Sequence, residues 1–213
     1  MLALATLCPP LLATLAILAL ATFPAAAGPI TTSHTGTFIQ DGDVRFFPLH
    51  LSAASHVTLI SYSYAGGTNA AGQAIPRGGF DPVLALFDLA GTLLAQNDDG
   101  GANVPADALT GATFDSFLAL DLAAGDYTIA ILQFDNEAIG PTLASGFSHP
   151  GDAAFTTAFG CLDAQPSFND LSGLPGCGRT NAFAFDTITD VPEPASAALL
   201  AAALLGLTLR RRT

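Results

Sequence analysis

Between Gly28 and Asp190 the apolar residues fall in runs of five to nine, each cut short by Gly, Pro, Asp or Asn, and no stretch keeps a helical repeat for eleven residues. Such a segment can bury a core only as short strands. The runs are Val44 to Leu51, His56 to Tyr64, Pro82 to Phe87, Thr92 to Gln96, Ser116 to Leu122 and Asp126 to Phe134. Period-two alternation sets Val57, Leu59 and Ser61 against Thr58, Ile60 and Tyr62, and Phe117, Ala119 and Asp121 against Leu118, Leu120 and Leu122. Asp88-Leu89-Ala90-Gly91 and Ala123-Ala124-Gly125-Asp126 carry turn chemistry between apolar runs and predict two hairpins. The expected fold is all-β, an antiparallel β-sandwich of jelly-roll type over residues 28–190, long enough for one core.

Charge narrows the partners. Between Gly28 and Asp190 there are 17 Asp and Glu against Arg45, Arg77 and Arg179, a net charge of −14. That field repels phosphate polymers, so nucleic acid is not an expected partner. With 50% hydrophobic residues and 11% charged, the chain as a whole is not a disordered polymer either.

The two ends read as addresses rather than fold. Leu11 to Phe23 is an uncharged apolar run followed by Pro24, Ala25, Ala26, Ala27 and Gly28, with no Lys or Arg ahead of it. Residues 1–27 are expected to be a secretory signal peptide, removed by signal peptidase. Pro9, Pro10 and Pro24 bracket the run and argue against a buried helix. At the other end, residues 191–213 comprise Val191, Pro192, Glu193 and Pro194, an apolar stretch from Ala195 to Leu209, then Arg210, Arg211 and Arg212. Fifteen apolar residues rise ~22 Å as a helix against a hydrocarbon core of ~30 Å, a short transmembrane span. The Arg cluster would hold its C-terminal side in the cytoplasm.

This three-part tail resembles the PEP-CTERM sorting signal of Gram-negative bacteria. The resemblance implies transit through the inner membrane, cleavage near Pro192, Glu193 and Pro194 by an exosortase-type enzyme, and delivery to the cell surface or a polysaccharide matrix. A permanent anchor is the alternative. The body carries a resemblance of its own: the segment DPVLALFDLAGTLLAQNDD, from Asp81 to Asp99, is similar to one in the pre-peptidase C-terminal type of secreted β-sandwich. It is closer still to an exported bacterial family marked by Gly-Phe-Asp-Pro, here Gly79, Phe80, Asp81 and Pro82. Together with Gly125-Asp126-Tyr127-Thr128, Gln133-Phe134-Asp135-Asn136 and Arg179-Thr180-Asn181, the likeness spans roughly residues 36 to 188. It implies an accessory module for adhesion or packing rather than for chemistry.

Oxygen ligands gather at three strand ends: Asp81 and Asp88; Asn97, Asp98 and Asp99; Asp135, Asn136 and Glu137. Calcium takes six to eight oxygens at ~2.4 Å, so a site forms if two of these loops share a rim. The other reading is that these are turn-formers that keep the domain soluble. Asp107 and Asp115 are weaker candidates of the same kind. Cys161 and Cys177, sixteen positions apart in a loop-rich stretch, are expected to form a disulfide worth ~3 kcal/mol in an oxidising compartment. A metal at these thiols would need further soft ligands, and His149 is twelve residues upstream.

No nucleophile elbow, zinc-protease helix, P-loop or dinucleotide fingerprint occurs in the sequence, and His34, His50, His56 and His149 are scattered. The chain is therefore expected to be a non-enzymatic, exported surface or matrix protein with an adhesive or structural body, its partner an extracellular polysaccharide. The alternative is a calcium-dependent carbohydrate- or protein-binding module.

Overall fold

Short alternating runs become strands throughout residues 28–171 and 176–190, the part of the chain that the computed structural model describes. Among these residues there is no α-helix, and the strands in chain order are β1 (Ile30–Thr37), β2 (Val44–Leu51), β3 (Ser55–Ser61), β4 (Gly67–Thr68), β5 (Ala74–Ile75), β6 (Pro82–Asp88), β7 (Leu93–Asn97), β8 (Phe117–Leu122), β9 (Gly125–Gln133) and β10 (Ala182–Asp190). All pairings between these strands are antiparallel. One sheet runs β1-β10-β3-β8 and the other β2-β9-β6-β7, while β4 and β5 form a small separate ribbon. With that ribbon set aside, every connection changes sheet except the β6–β7 hairpin, which is the wrapping order of a jelly roll.

Alternation decides the faces. Val57 and Leu59 of β3, Leu118 and Leu122 of β8, and Phe183 and Phe185 of β10 meet Leu84 and Leu86 of β6 and Ile129 and Ile131 of β9 in one buried cluster. Both sheets thus contribute to a single core. Strands β6 and β9 are buried on their other face as well, where Val83, Ala85, Phe87, Ala130 and Leu132 pack under Phe147. Burial on two faces explains why these strands read as nearly unbroken apolar runs instead of alternating ones.

Three sequence expectations change. The turn at Ala123–Asp126 is a crossing between sheets and not a hairpin, because β9 is already flanked by β2 and β6 and has no free edge for β8. The predicted strand over His56 to Tyr64 stops at Ser61: Asp115 takes the backbone N–H groups of Tyr64 and Ala65 at 3.1 and 2.8 Å and turns the chain inward. Two strands of the first sheet, β1 and β10, were not among the predicted runs. β1 is a Thr- and Ser-rich edge, largely exposed, and β10 carries a fully buried Asp186 in its middle. The turn at Asp88 holds as expected: Gly91 donates to the Asp88 carbonyl at 2.9 Å with φ of 82°, and Thr92 donates to the Asp88 carboxylate at 2.7 Å.

β10 lies between β1 and β3, with Ile30 opposite Thr189 and Phe185 opposite Ser61, so the first and last strands of the body are neighbours. Among the described residues no helix is long and apolar enough to cross a membrane. The expected signal peptide and C-terminal span lie outside the described residues.

Candidate functional site

The Gly79-Phe80-Asp81-Pro82 motif leads into β6, and each residue has its own reason to be there. A Cβ at Gly79 would stand 2.5 Å from both the Ser63 and Ala182 carbonyl oxygens. Only glycine lets this segment pass so close to the backbone beyond β3 and at the start of β10. Phe80 is fully buried, stacked on Phe38 at 4.7 Å and on Phe168 at 5.8 Å between centroids. Pro82 opens β6 opposite Gln133, and its carbonyl accepts from the Ser116 hydroxyl, which also lies 3.0 Å from the Asn97 carbonyl and 3.1 Å from that of Asp98. Strand end and loop are thereby tied together around Asp81.

Asp81 itself is 6% exposed, and its Oδ1 has no hydrogen-bond partner. Burial pushes its carboxyl well above the usual range, and the carboxylates of Asp170, Asp99, Asp98 and Asp115 push it further. Asp99 is raised in the same way, by partial burial and then by Asp98 and Asp170. Glu137 is raised by partial burial and then by Asp98 and Asp135. The structure therefore brings Asp81, Asp98 and Asp99 into one acidic neighbourhood, with Asp135 at its edge. Asp88 is not part of it, for it sits at the far end of β6 and caps the Gly91 turn. Asn97 is engaged by β8 and by its own loop: its Oδ1 accepts from the Phe117 N–H at 2.9 Å and its Nδ2 donates to the Asp99 carbonyl at 3.1 Å.

Two buried polar side chains near this end of the fold were not candidates in the sequence reading. Asp170, 2% exposed, accepts the Tyr64 hydroxyl at 2.5 Å and sits in the loop-rich stretch where no periodicity points inward. Gln133 is fully buried with its Oε1 unpartnered, while its Nε2 reaches the Asn169 carbonyl at 3.5 Å. A signal existed for Gln133, which stands in phase with the inward-facing Ile129 and Ile131.

Other buried carboxylates hold loops. Asp107 receives two hydrogen bonds from Arg77, both 2.9 Å, and more from the Leu109 and Thr110 amides. Burial works against its ionised form, but Arg77, those amides and the charge of Arg179 outweigh it and hold the carboxyl well below the usual range. Asp41 ties Thr156 and Phe168, with N–H donors at 2.9 and 2.6 Å. Asp115 accepts from the Ser61 hydroxyl at 2.7 Å as well as from the Tyr64 and Ala65 amides. Arg179 is buried with its guanidinium carbon 3.3 Å from the centre of the Tyr64 ring and its Nη1 3.9 Å from Asp107. Asp107 and Asp115, weak calcium candidates by sequence, are thus fully engaged as anchors.

Cys161 and Cys177 form the expected disulfide, with Cα atoms 5.6 Å apart. Asp163 lies against it and accepts the Gly176 and Gly178 N–H groups at 3.0 and 3.3 Å. These three side chains are the only trio of His, Cys, Asp or Glu ligand atoms within 4.8 Å among the described residues. Oxidised sulfur is not a thiolate ligand, so the trio is a clamp rather than a metal centre. The histidines are dispersed: His50 and His56 pair at 2.7 Å with Asp126 and Asp121 on the surface, His34 stacks on Phe185, and His149 stacks on Phe155.

β10 ends at Asp190, and the chain beyond it supplies the comparison with known proteins. Residues 190–212 match the family described as the PEP-CTERM protein-sorting motif. The match takes in Val191, Pro192, Glu193, Pro194, Arg210, Arg211 and Arg212, all outside the described residues. No curated protein matches the chain. The motif implies an exported protein, sorted to the cell surface by an exosortase-type enzyme. The chain thus carries, at residues 190–212, a segment that matches the PEP-CTERM protein-sorting motif.

Proposed function

We propose that the body is a non-enzymatic, adhesive or structural β-sandwich that works at the cell surface or in the extracellular matrix, where it packs against polysaccharide. The observation that carries this reading is the sorting motif that starts at the last residue of β10, directly after the β-sheet body. The internal chemistry supports it. Long connections are fastened by buried carboxylates and by the Cys161–Cys177 bridge, and a bridge of that kind persists in an oxidising compartment. In this reading signal peptidase removes residues 1–27, and the apolar stretch 195–209 serves as a transient inner-membrane anchor until the exosortase-type enzyme cuts near Pro192, Glu193 and Pro194.

Intact mass of the protein recovered from the producing cells tests the sorting half: two cleaved ends and a mass two hydrogens short of the reduced form are expected. Recovery of the uncut chain in the cytoplasm with both thiols free would overturn it. For the adhesive half, cells lacking the protein should lose attachment or matrix cohesion, and full-length chain expressed in trans should restore it. Unchanged cohesion would remove the adhesive role. A second reading, a calcium-dependent carbohydrate- or protein-binding module, draws on the unpartnered Asp81 carboxylate.

A further inference from the structure

At the end of the sandwich where β1 begins and β10 ends, the space between the two sheets is a cleft of about 210 Å³. Its walls differ in chemistry. The inward face of β10 carries Phe183, Phe185, Thr187 and Thr189, so the strand turns from core aromatics to hydroxyls as it reaches this end. Ile30 and Thr32 of β1 stand opposite Thr189 and Thr187 in register and line the same wall. Leu49 and Leu51 of β2, both packed into the main core, line the other. Ile30 is 61% exposed and Thr32 is exposed, so the cleft opens to solvent along β1. No Asp, Glu, Lys or Arg lines it.

Thr187 sets the chemistry of the cleft. The residue is 5% exposed, and its Oγ1 is buried without a hydrogen-bond partner. Its neighbour on β3 is Leu59, which offers no polar side-chain atom. Ser55, another buried hydroxyl of the cleft, already donates to the Ala53 carbonyl at 3.0 Å. A desolvated hydroxyl left bare is costly, and one that lines an open cleft is ready to bond a ligand. As directly opposed residues, Thr32 and Thr187 hold their Cβ atoms ~5 Å apart, and Thr189 follows ~7 Å further along its strand. β-branched side chains have few rotamers to lose, so these hydroxyls are placed before a ligand arrives.

Resting on the reading of the body as a partner of polysaccharide, we propose that this cleft is a subsite for one neutral sugar unit of such a polymer. A pyranose ring is rich in hydroxyls at its rim and presents C–H groups on its faces, which answers a threonine wall opposed by leucines. The cleft is smaller than the ~300–1,000 Å³ of sites for drug-sized ligands, so it takes one ring and not a length of chain. An uncharged carbohydrate is selected, because an acidic body with no basic group in the cleft disfavours uronic acids, sulfated sugars and phosphates. A lipid chain or an apolar side chain would leave the Thr187 hydroxyl bare.

The test titrates the full-length chain, in a detergent without a sugar headgroup, with glucose, galactose, mannose and N-acetylglucosamine, and with glucuronic acid as the anionic control. Calorimetry and thermal unfolding read the binding. At least one neutral sugar should bind one per chain with a Kd on the order of millimolar and raise the unfolding midpoint, while glucuronic acid does neither. Thr187→Val should weaken that binding about three- to tenfold, yet leave the midpoint without sugar unchanged or higher, since the hydroxyl it removes has no protein partner. Should Thr187→Val fail to fold, Thr32→Trp at the exposed mouth must abolish binding, and Thr31→Trp on the other face of β1 must leave it intact. No binding by any of the four neutral sugars, as for a cleft that holds only water, overturns the proposal. Binding that survives both Thr187→Val and Thr32→Trp, or glucuronic acid bound as tightly as the neutral sugars, does so too. Loss of cohesion in cells lacking the protein, without sugar binding in this test, would keep the adhesive reading and place its contact elsewhere on the body.

Discussion

Phe80→Ala is the sharpest probe of how the Gly-Phe-Asp-Pro segment holds the fold. The Phe80 ring is fully buried and is sandwiched between Phe38, at 4.7 Å, and Phe168, at 5.8 Å. Phe38 follows β1 and Phe168 belongs to the loop-rich stretch before β10, so one ring links three separate parts of the chain. Truncation of a buried Phe typically costs ~3–5 kcal/mol through lost transfer energy and the cavity left behind. Against a usual total of about 5–15 kcal/mol, that is a large part of the stability. With a urea m-value of about 2 kcal/mol/M, the midpoint should fall by roughly 1.5–2.5 M. Urea titration followed by circular dichroism measures this directly, and Phe46→Ala is the internal control because its side chain is 49% exposed. A loss below ~1 kcal/mol for Phe80→Ala, or an equal loss for Phe46→Ala, would refute the packing argument.

Three further outcomes follow from the same structure. Gly79→Ala should destabilise by ~1–3 kcal/mol or more, since backbone oxygens at 2.5 Å on two sides cannot swing away as a side chain would; thermal unfolding reads it, and a neutral result would mean that the segment shifts freely. Cys161→Ser should cost ~3 kcal/mol and make the stretch between the two cysteines the first site of limited proteolysis; unchanged protease resistance would show that Asp41 and Asp163 hold it unaided. In chelator, stability should rise as pH falls from about 8 to 5. The sign comes from Asp81 and Asp115, whose folded carboxyls are raised above the unfolded value near 4, so their contribution is complete below that value and lost as pH climbs through the raised ones. Asp107, held low by Arg77, opposes this only below about pH 4. A midpoint that drops steadily between pH 8 and 5 would contradict the assignment.

The fold class was legible because its signals are local. Strands β2, β3, β6, β7, β8 and β9 each announce themselves through a short run, and the Asp88–Gly91 hairpin through its turn residues. The sheet order was not legible in the same way, since whether Ala123–Asp126 joins partners or crosses between sheets depends on which edges of β9 are already occupied. β1 hid behind its exposed Thr and Ser, and β10 behind Asp186, whose carboxylate accepts the Ala70 N–H at 2.7 Å and belongs to the interior by virtue of a residue 116 positions away. The acidic end shows the same division. Asp81, Asp98 and Asp99 were visible as a class, while Asp170 joins them only through the tertiary fold, and Asp88 leaves them because seven strand residues carry it to the opposite end.

The position of β10 also sets a schedule. Both of its partners, β1 and β3, leave the ribosome long before it does, and the sheet has a vacant slot between them until residues Ala182–Asp190 arrive. Long-range pairing of this kind is slow and cannot lock early. A polypeptide that stays unlocked can be threaded through a translocon, and one that locks only when its final strand emerges does so just as residue 190, the first of the sorting motif, comes into reach. Rigidity and postal code are thus delivered by adjoining stretches of chain that share Asp190, so a molecule truncated before Ala182 lacks both the closing strand and the address.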